Sequence, residues 1–307
     1  MDILLHIFII ILTILGLWGG AVWVVDSATH IAKKLGVSEL IIGLTVVAIA
    51  TSLPEFAVTV SAALRGRSAI SLGNVVGSNI FNLGFILGLV TLFGSIPISR
   101  KLLTRDGFLL LGIGILLLIF FWDHQLSLVE GLLLVATLII YLIILYLQKE
   151  SIDEEVPAGN FRWFDIPKLI VGVAVIILSA NYLVDAATTI ARHFHVSEWL
   201  IGITIVAAGT SMPEFATSMV ALNKGRHGIS IGNLIGSDIF NMLGVLGTAS
   251  IMRPLQITFS EYFGLILLAI SYLILLIMMR TGWKISKAEG ILLLAIAVIR
   301  WSIDFIF

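Results

Sequence analysis

The chain repeats itself at an offset of 159 residues without a gap. "VDSATHIAKKLGVSELIIGLTVVAIATSLPEFA" from Val25 lies over "VDAATTIARHFHVSEWLIGITIVAAGTSMPEFA" from Val184, and "SLGNVVGSNIFN" from Ser71 lies over "SIGNLIGSDIFN" from Ser230. Across positions 21–90 against 180–249, half of the pairs are identical, which marks a duplicated unit. What fills the unit decides its fold. Hydrophobic residues make up 59% of the chain, charged residues 12%, and the mean hydropathy is +1.11, outside the range of soluble globular proteins. Apolar blocks recur near 3–25, 40–64, 70–93, 107–122, 126–147, 166–184, 199–222, 229–251, 262–279 and 288–307, against the about 20 residues a spanning helix needs. A transmembrane barrel would show short alternating segments instead. The expected fold is an all-α membrane protein of ten transmembrane helices, five per copy. Because five is odd, the second copy enters the membrane from the opposite side. The prediction is therefore two inverted five-helix repeats, 1–148 and 165–307, joined by a short acidic linker at 149–164 that is too small for a sensor domain.

Inverted repeats in transporters place substrate and coupling ions near the midplane, so charge at depth is the next question. "ATSLPEF" from Ala50 and "GTSMPEF" from Gly209 put a proline and a glutamate inside apolar spans. Of the nineteen carboxylates, Glu55, Glu214 and Asp238 fall well within predicted spans. A charge at the bilayer centre costs about 2.5–3.5 kcal/mol on insertion scales. With no Lys or Arg at matching depth, the expected partner is a bound cation. Thr51 and Ser52 lie four and three residues before Glu55, on its helix face, and Thr210, Ser211 and Glu214 repeat the set. Pro54 has no N–H, which frees the carbonyl of Ala50 and crowds that of Thr51; Pro213 does the same to Gly209 and Thr210. Hydroxyls, carbonyls and carboxylates make an all-oxygen donor set, suited to Ca²⁺ and to Na⁺. Ser78 and Asn82 share a face and are copied by Ser237 and Asn241, while Gly73, Gly77, Gly232 and Gly236 permit close helix packing.

These paired blocks resemble the two α-repeats of the sodium/calcium exchanger family, in the cation/calcium antiporter superfamily, and the resemblance covers essentially the whole chain. It implies an antiporter that exchanges Na⁺ for Ca²⁺ by alternating access, of the prokaryotic type. By motif position it implies Ca²⁺ ligation by Glu55 and Glu214 with the carbonyls of Thr51 and Thr210. It also implies Na⁺ sites at Ala48, Thr51, Ser52 and Ser78, at Ala207, Thr210, Ser211 and Ser237, and at Asn82 with Asn241 between. Three positions depart from the pattern. Ala50 stands where glycine is usual and is expected to stiffen the first unwound turn; Asn241 is Asp in some relatives, including potassium-dependent ones, which argues against K⁺ cotransport. Asp238 matches Asn79 in the first copy, and two readings stay open: an ion or proton role, or an acid of no consequence.

An H⁺/Ca²⁺ exchanger is the alternative, since Glu55, Glu214 and Asp238 can each carry a proton; the many hydroxyl and amide ligands favour Na⁺. An enzyme is not expected: the six histidines sit near span ends or in loops and no HExxH occurs. The sequence leaves open a passive channel. No cofactor, nucleic acid or obligatory protein partner is expected beyond the two ions and the lipid bilayer. The absence of cysteine excludes disulfides and thiolate metal sites. Asp2 and a long first apolar run argue against a cleaved signal peptide. With the termini outside, thirteen Lys and Arg fall in inside loops, against Arg65, Arg67, Arg192, Arg253 and Arg300 outside. A multi-pass cell-membrane protein with both termini outside is the expectation.

Overall fold

Small and aliphatic residues spaced by three and four carry the first helix, α1 (Ile3–Leu35), past its predicted end at Val25. Asp26 closes the apolar run, yet the buried stripe continues through Ala28 and Ala32, and Lys33 and Lys34 face the negative end of the helix dipole. Its counterpart α7 (Asp165–His193) likewise outruns Val184 and ends on Arg192 and His193. The computed structural model describes residues 3–148, 161–196, 205 and 207–306. The linker at 149–160 and most of the predicted span before residue 207 lie outside them.

The other helices among the described residues are α2 (Glu39–Thr51), α3 (Leu53–Leu64), α4 (Ser68–Phe93), α5 (Leu102–Asp123), α6 (Leu128–Gln148), α8 (Ala207–Thr210), α9 (Met212–Asn223), α10 (His227–Met252), α11 (Phe259–Arg280) and α12 (Lys287–Ile306). With α1 and α7 included, seven of the described helices are long and apolar enough to cross a membrane, or eight if α2 and α3 form one broken span. The spans differ in enclosure. In α10 and α4, 83% and 67% of the most apolar window is buried, against 28% in α1, α6 and α7, which leaves those three offering their outer faces to lipid.

The described residues fall into two units, each mixing segments from both halves of the sequence. One draws on 1–51, 149–233 and 302–307, the other on 52–148 and 234–301. In the first, Leu17, Ala21, Val24 and Ala28 of α1 pack against Leu169, Val173, Ile176 and Ala180 of α7 and against Ala216 and Val220 of α9. Gly20 and Gly172 let two backbones touch: a Cβ on Gly20 would sit 2.8 Å from Gly172 O, and one on Gly172 would sit 3.0 Å from Gly20 O. Gly20 and Gly172 thus bring the two helices into backbone contact. Gly232 meets Leu40 O of α2 in the same way, at 2.8 Å from its would-be Cβ. Glu39, 4% exposed, is paired with Arg226 at 2.9 Å.

In the second unit one contact is built twice. Gly88 of α4 abuts Gly290 of α12, and Gly131 of α6 abuts Gly247 of α10, each glycine's missing Cβ leaving room for the other's carbonyl at 2.8–3.1 Å. The two pairs map onto each other by the 159-residue offset. So do two antiparallel bridges, Ile96–Pro97 with Lys284–Ile285 and Gln125–Leu126 with Leu255–Gln256.

Candidate functional site

Both proline motifs fall at helix starts. Ser52 (φ −84, ψ 10) separates α2 from α3 and Ser211 (φ −92, ψ 4) separates α8 from α9, with the proline near each new N-terminus. Proline there loses no helical hydrogen bond, because the first N–H groups have no intrahelical acceptor anyway. Glu55 and Glu214 thus occupy the first turns of α3 and α9, where the positive end of the helix dipole favours a carboxylate.

Each motif also reads Ser-x-x-Glu, the spacing of a capping box. Elsewhere that spacing closes on itself. Glu130 accepts from the N–H of Ser127 at 2.7 Å and Glu289 from that of Ser286 at 2.7 Å, while each serine hydroxyl in turn accepts from the glutamate N–H. At Ser52 and Ser211 the side chain makes no capping bond. Their ψ near zero lies outside the extended region a capping residue needs, as Ser38 with ψ 156 shows by accepting from Ile41 N. The two serine oxygens at depth are therefore not committed to the helix start.

Asparagines brace both helices. In the second unit Asn74 Nδ2 donates to Glu55 O at 3.2 Å and to Thr59 Oγ1 at 2.9 Å. In the first, Asn233 Nδ2 donates to Glu214 O at 3.3 Å and to Ser218 Oγ at 3.0 Å, and its Oδ1 accepts from Thr51 Oγ1 at 3.0 Å. Asn233 so joins Thr51 of one copy to Glu214 of the other. Sequence reasoning passed over Asn74 and Asn233, although identity at the 159-residue offset marks both.

The candidate residues are enclosed. Ala48, Ser52, Ser211, Glu214, Ser237, Asp238 and Asn241 are 0% exposed, Thr51, Glu55 and Asn82 1%, and Ser78 4%. Thr210 is half-buried, and the side chain of Ala207 lies outside the described set. Ala48, Thr51, Ala207, Thr210, Ser211 and Glu214 belong to the first unit, the rest to the second. Within the second unit, Asn82 Nδ2 reaches Asp238 Oδ1 at 3.0 Å, and Asn241 Nδ2 lies 3.5 Å from Ser78 Oγ and 3.0 Å from Asn79 Oδ1. Asn82 and Asn241 each open a π-helical turn, Asn82–Ile86 and Asn241–Val245, a local widening frequent at functional sites. The sequence readings placed both residues on ordinary helices.

The two copies pack differently at the residue before the Thr-Ser pair. Val184 fills the space that a Cβ on Gly209 would need, whereas Ala50 is partly buried on the core cluster of its unit. Gly209→Ala is expected to cost about 1–3 kcal/mol by overpacking, read as a lower melting temperature in detergent and restored by adding Val184→Ala. Ala50→Gly should cost about 1 kcal/mol or less.

Buried carboxylates, hydroxyls and amides on broken, apolar helices define a multi-pass, all-α membrane protein of the transporter class. Sodium/calcium exchanger MaX1 of Methanosarcina acetivorans is 33% identical over a 339-residue alignment, covering 95% of this chain and 96% of its own. Inner membrane protein YrbG of Escherichia coli is 32% identical over 289 residues, 88% of this chain and 87% of its own. A solved structure of the sodium-calcium exchanger NCX_Mj, soaked with 2.5 mM Na⁺ and 1 mM Sr²⁺, superposes with a TM-score of 0.86 at 30% identity, covering 98% of this chain and 99% of that one. The model of the sodium/calcium exchanger protein family matches twice, over residues 5–147 and 166–300. The chain belongs to the sodium/calcium exchanger family.

Proposed function

We propose that this protein is a Na⁺/Ca²⁺ antiporter of the cell membrane, working by alternating access. The observation that carries the reading is the duplicated, enclosed glutamate: Glu55 and Glu214, 1% and 0% exposed, each at the start of a proline-led helix beside hydroxyls that do not cap it. Two carboxylates supply about the charge of one Ca²⁺, and the surrounding oxygens suit a hard cation that takes about 6–8 ligands. Glu55 and Glu214 with the carbonyls of Thr51 and Thr210 are proposed to hold Ca²⁺. Na⁺ is assigned to Ala48, Thr51, Ser52, Ser78, Ala207, Thr210, Ser211 and Ser237, with Asn82 and Asn241. Na⁺ in these neighbouring oxygen sites competes with Ca²⁺ for the same two carboxylates, so the ions exclude one another, and an empty site that leaves two charges without a cation is costly to carry across the bilayer. That exclusion couples the two fluxes.

The same reading takes the fold as ten spans in two inverted repeats, 1–148 and 165–307, about the linker 149–164, with both termini outside. The double family match and the duplicated Gly88–Gly290 and Gly131–Gly247 contacts support it. Its activity is transport, with no cofactor, and Asn241 in place of Asp argues against K⁺. Coupling to H⁺ is the second reading, favoured by the third enclosed acid, Asp238. Exchange of ⁴⁵Ca²⁺ in proteoliposomes under imposed Na⁺, K⁺ or pH gradients separates them. Uptake driven by a Na⁺ gradient alone is expected; uptake driven by a pH gradient with Na⁺ absent overturns the first reading.

A further inference from the structure

We propose that Asn79 and Asp238 are positioning residues that fix which end of the Asn82 and Asn241 amides faces away from the protein network, and so make both amide oxygens cation ligands. This rests on the ion assignment above for Asn82 and Asn241; the roles of residues 79 and 238 are new to it. An amide is a good cation ligand in only one orientation, because its NH₂ end presents positive hydrogens and its oxygen presents lone pairs. For side chains this enclosed, something must hold the nitrogen away.

The hydrogen-bond polarities leave one solution. Asn79 Nδ2 donates to the backbone carbonyl of Asp238 at 3.2 Å, an atom that can only accept, and to Tyr272 OH at 2.9 Å. Asn79 Oδ1 must then face the other way, where it accepts from Asn241 Nδ2 at 3.0 Å. Ser78 Oγ gives its proton to Val75 O at 3.1 Å and so can only accept from Asn241 Nδ2, 3.5 Å away. On the other copy, Asp238 Oδ1 accepts from Asn82 Nδ2 at 3.0 Å. Both asparagines are gripped by nitrogen. Their Oδ1 atoms are the ends left over: each is buried and accepts no hydrogen bond among the described residues. Turning the Asn241 amide over would place its oxygen against the oxygens of Asn79 and Ser78, and turning that of Asn82 would place it against Asp238 Oδ1, which repels it whenever the carboxyl carries no proton.

The grip is reciprocal. Residues 79 and 238 are the same position in the two copies, and each holds the asparagine contributed by the other. They are chemically different because their tasks are: Asn79 must donate at one end and accept at the other, whereas Asp238 needs only to accept through its side chain. This gives Asp238 a role that requires neither proton transfer nor direct contact with an ion.

The test uses equilibrium binding of ²²Na⁺ and ⁴⁵Ca²⁺ to the purified full-length protein, which does not depend on how flux is coupled. Asp238→Ala is expected to raise the Na⁺ concentration for half-saturation by roughly tenfold, the equivalent of one well-made contact. Asp238→Asn, which keeps an oxygen where Asn82 Nδ2 points, should restore it to near the wild-type value. In an Asn82→Ala background, Asp238→Ala should add nothing, because it acts through Asn82. If Asp238→Ala does not fold, Asp238→Glu takes its place: it keeps the charge, displaces the acceptor, and should raise half-saturation likewise. Wild-type half-saturation in Asp238→Ala or Asp238→Glu, additivity with Asn82→Ala, or failure of Asp238→Asn to rescue overturns the inference. Loss of Na⁺ binding in Asn82→Ala with unchanged binding in Asp238→Ala sinks it alone and spares the ion assignment. Absence of Na⁺ binding to the wild-type protein sinks both.

Discussion

Replacing Glu55 or Glu214 by glutamine is expected to abolish Ca²⁺ exchange while leaving the fold intact. Each side chain is sealed from solvent, and glutamine keeps its volume and most of its hydrogen-bonding capacity. What is lost is one of the two charges proposed to balance Ca²⁺. Leaving a buried charge without its counter-charge costs about 3–5 kcal/mol, roughly 10²–10⁴-fold in affinity. The apo protein has the opposite dependence, since removing a buried carboxylate relieves its desolvation. Thermal melting without Ca²⁺ should therefore be unchanged or slightly higher, and the stabilisation that Ca²⁺ gives the wild-type protein should disappear. ⁴⁵Ca²⁺ exchange in proteoliposomes, read beside melting curves with and without Ca²⁺, checks both halves. Flux that survives in both single variants would overturn the site assignment.

The second large effect lies outside the residues proposed to hold ions. Asp106, 0% exposed in the π-helical turn Leu102–Gly107, accepts from Arg105 Nε at 2.8 Å, from Arg105 Nη2 at 2.9 Å and from Tyr141 OH at 2.8 Å. Asp106→Ala takes the carboxylate away from a largely buried guanidinium, which keeps its bond to Gln148 Oε1 at 3.0 Å, and from a buried phenol. A loss of about 3–5 kcal/mol is expected, seen as early unfolding in detergent with the ion concentrations for half-saturation unchanged in whatever protein remains folded. Asp106→Asn keeps the volume and an acceptor for Tyr141, so it should fall between. An Asp106→Ala protein as stable as the wild type would show that α5 and α6 are held by their apolar contacts alone.

Much of the site was legible because it is written twice. Two copies at one offset single out Glu55 with Glu214 and Asn82 with Asn241 without any structure, and the cost of charge in lipid separates them from the other carboxylates. The same comparison could have found Asn74 and Asn233, which passed unnoticed because an asparagine beside a glycine suggests packing. Hydropathy ended α1 at Val25 and α7 at Val184 because an aspartate follows each; what continues the helix is a stripe of alanines, whose apolar signal is weak. The π turns at Asn82 and Asn241 have no residue signature, since one extra residue in a turn leaves composition unchanged. Nor could spacing alone tell that Ser52 and Ser211 decline the capping role that Ser127 and Ser286 perform. That difference lies in one backbone torsion.

The twice-built glycine contact bears on how the chain is made. Gly88 lies in α4, and its partner Gly290 lies in α12, the last helix described; Gly131 in α6 waits for Gly247 in α10. A ribosome delivers the first member of each pair long before the second, so the small-residue faces of α4 and α6 pass through biogenesis covered by lipid or by other proteins. Closure of these faces is a late event, and shortening the chain before α12 removes it from α4 altogether. Interruption of synthesis before α12 therefore leaves the Gly88 face of α4 without the helix it is shaped to meet.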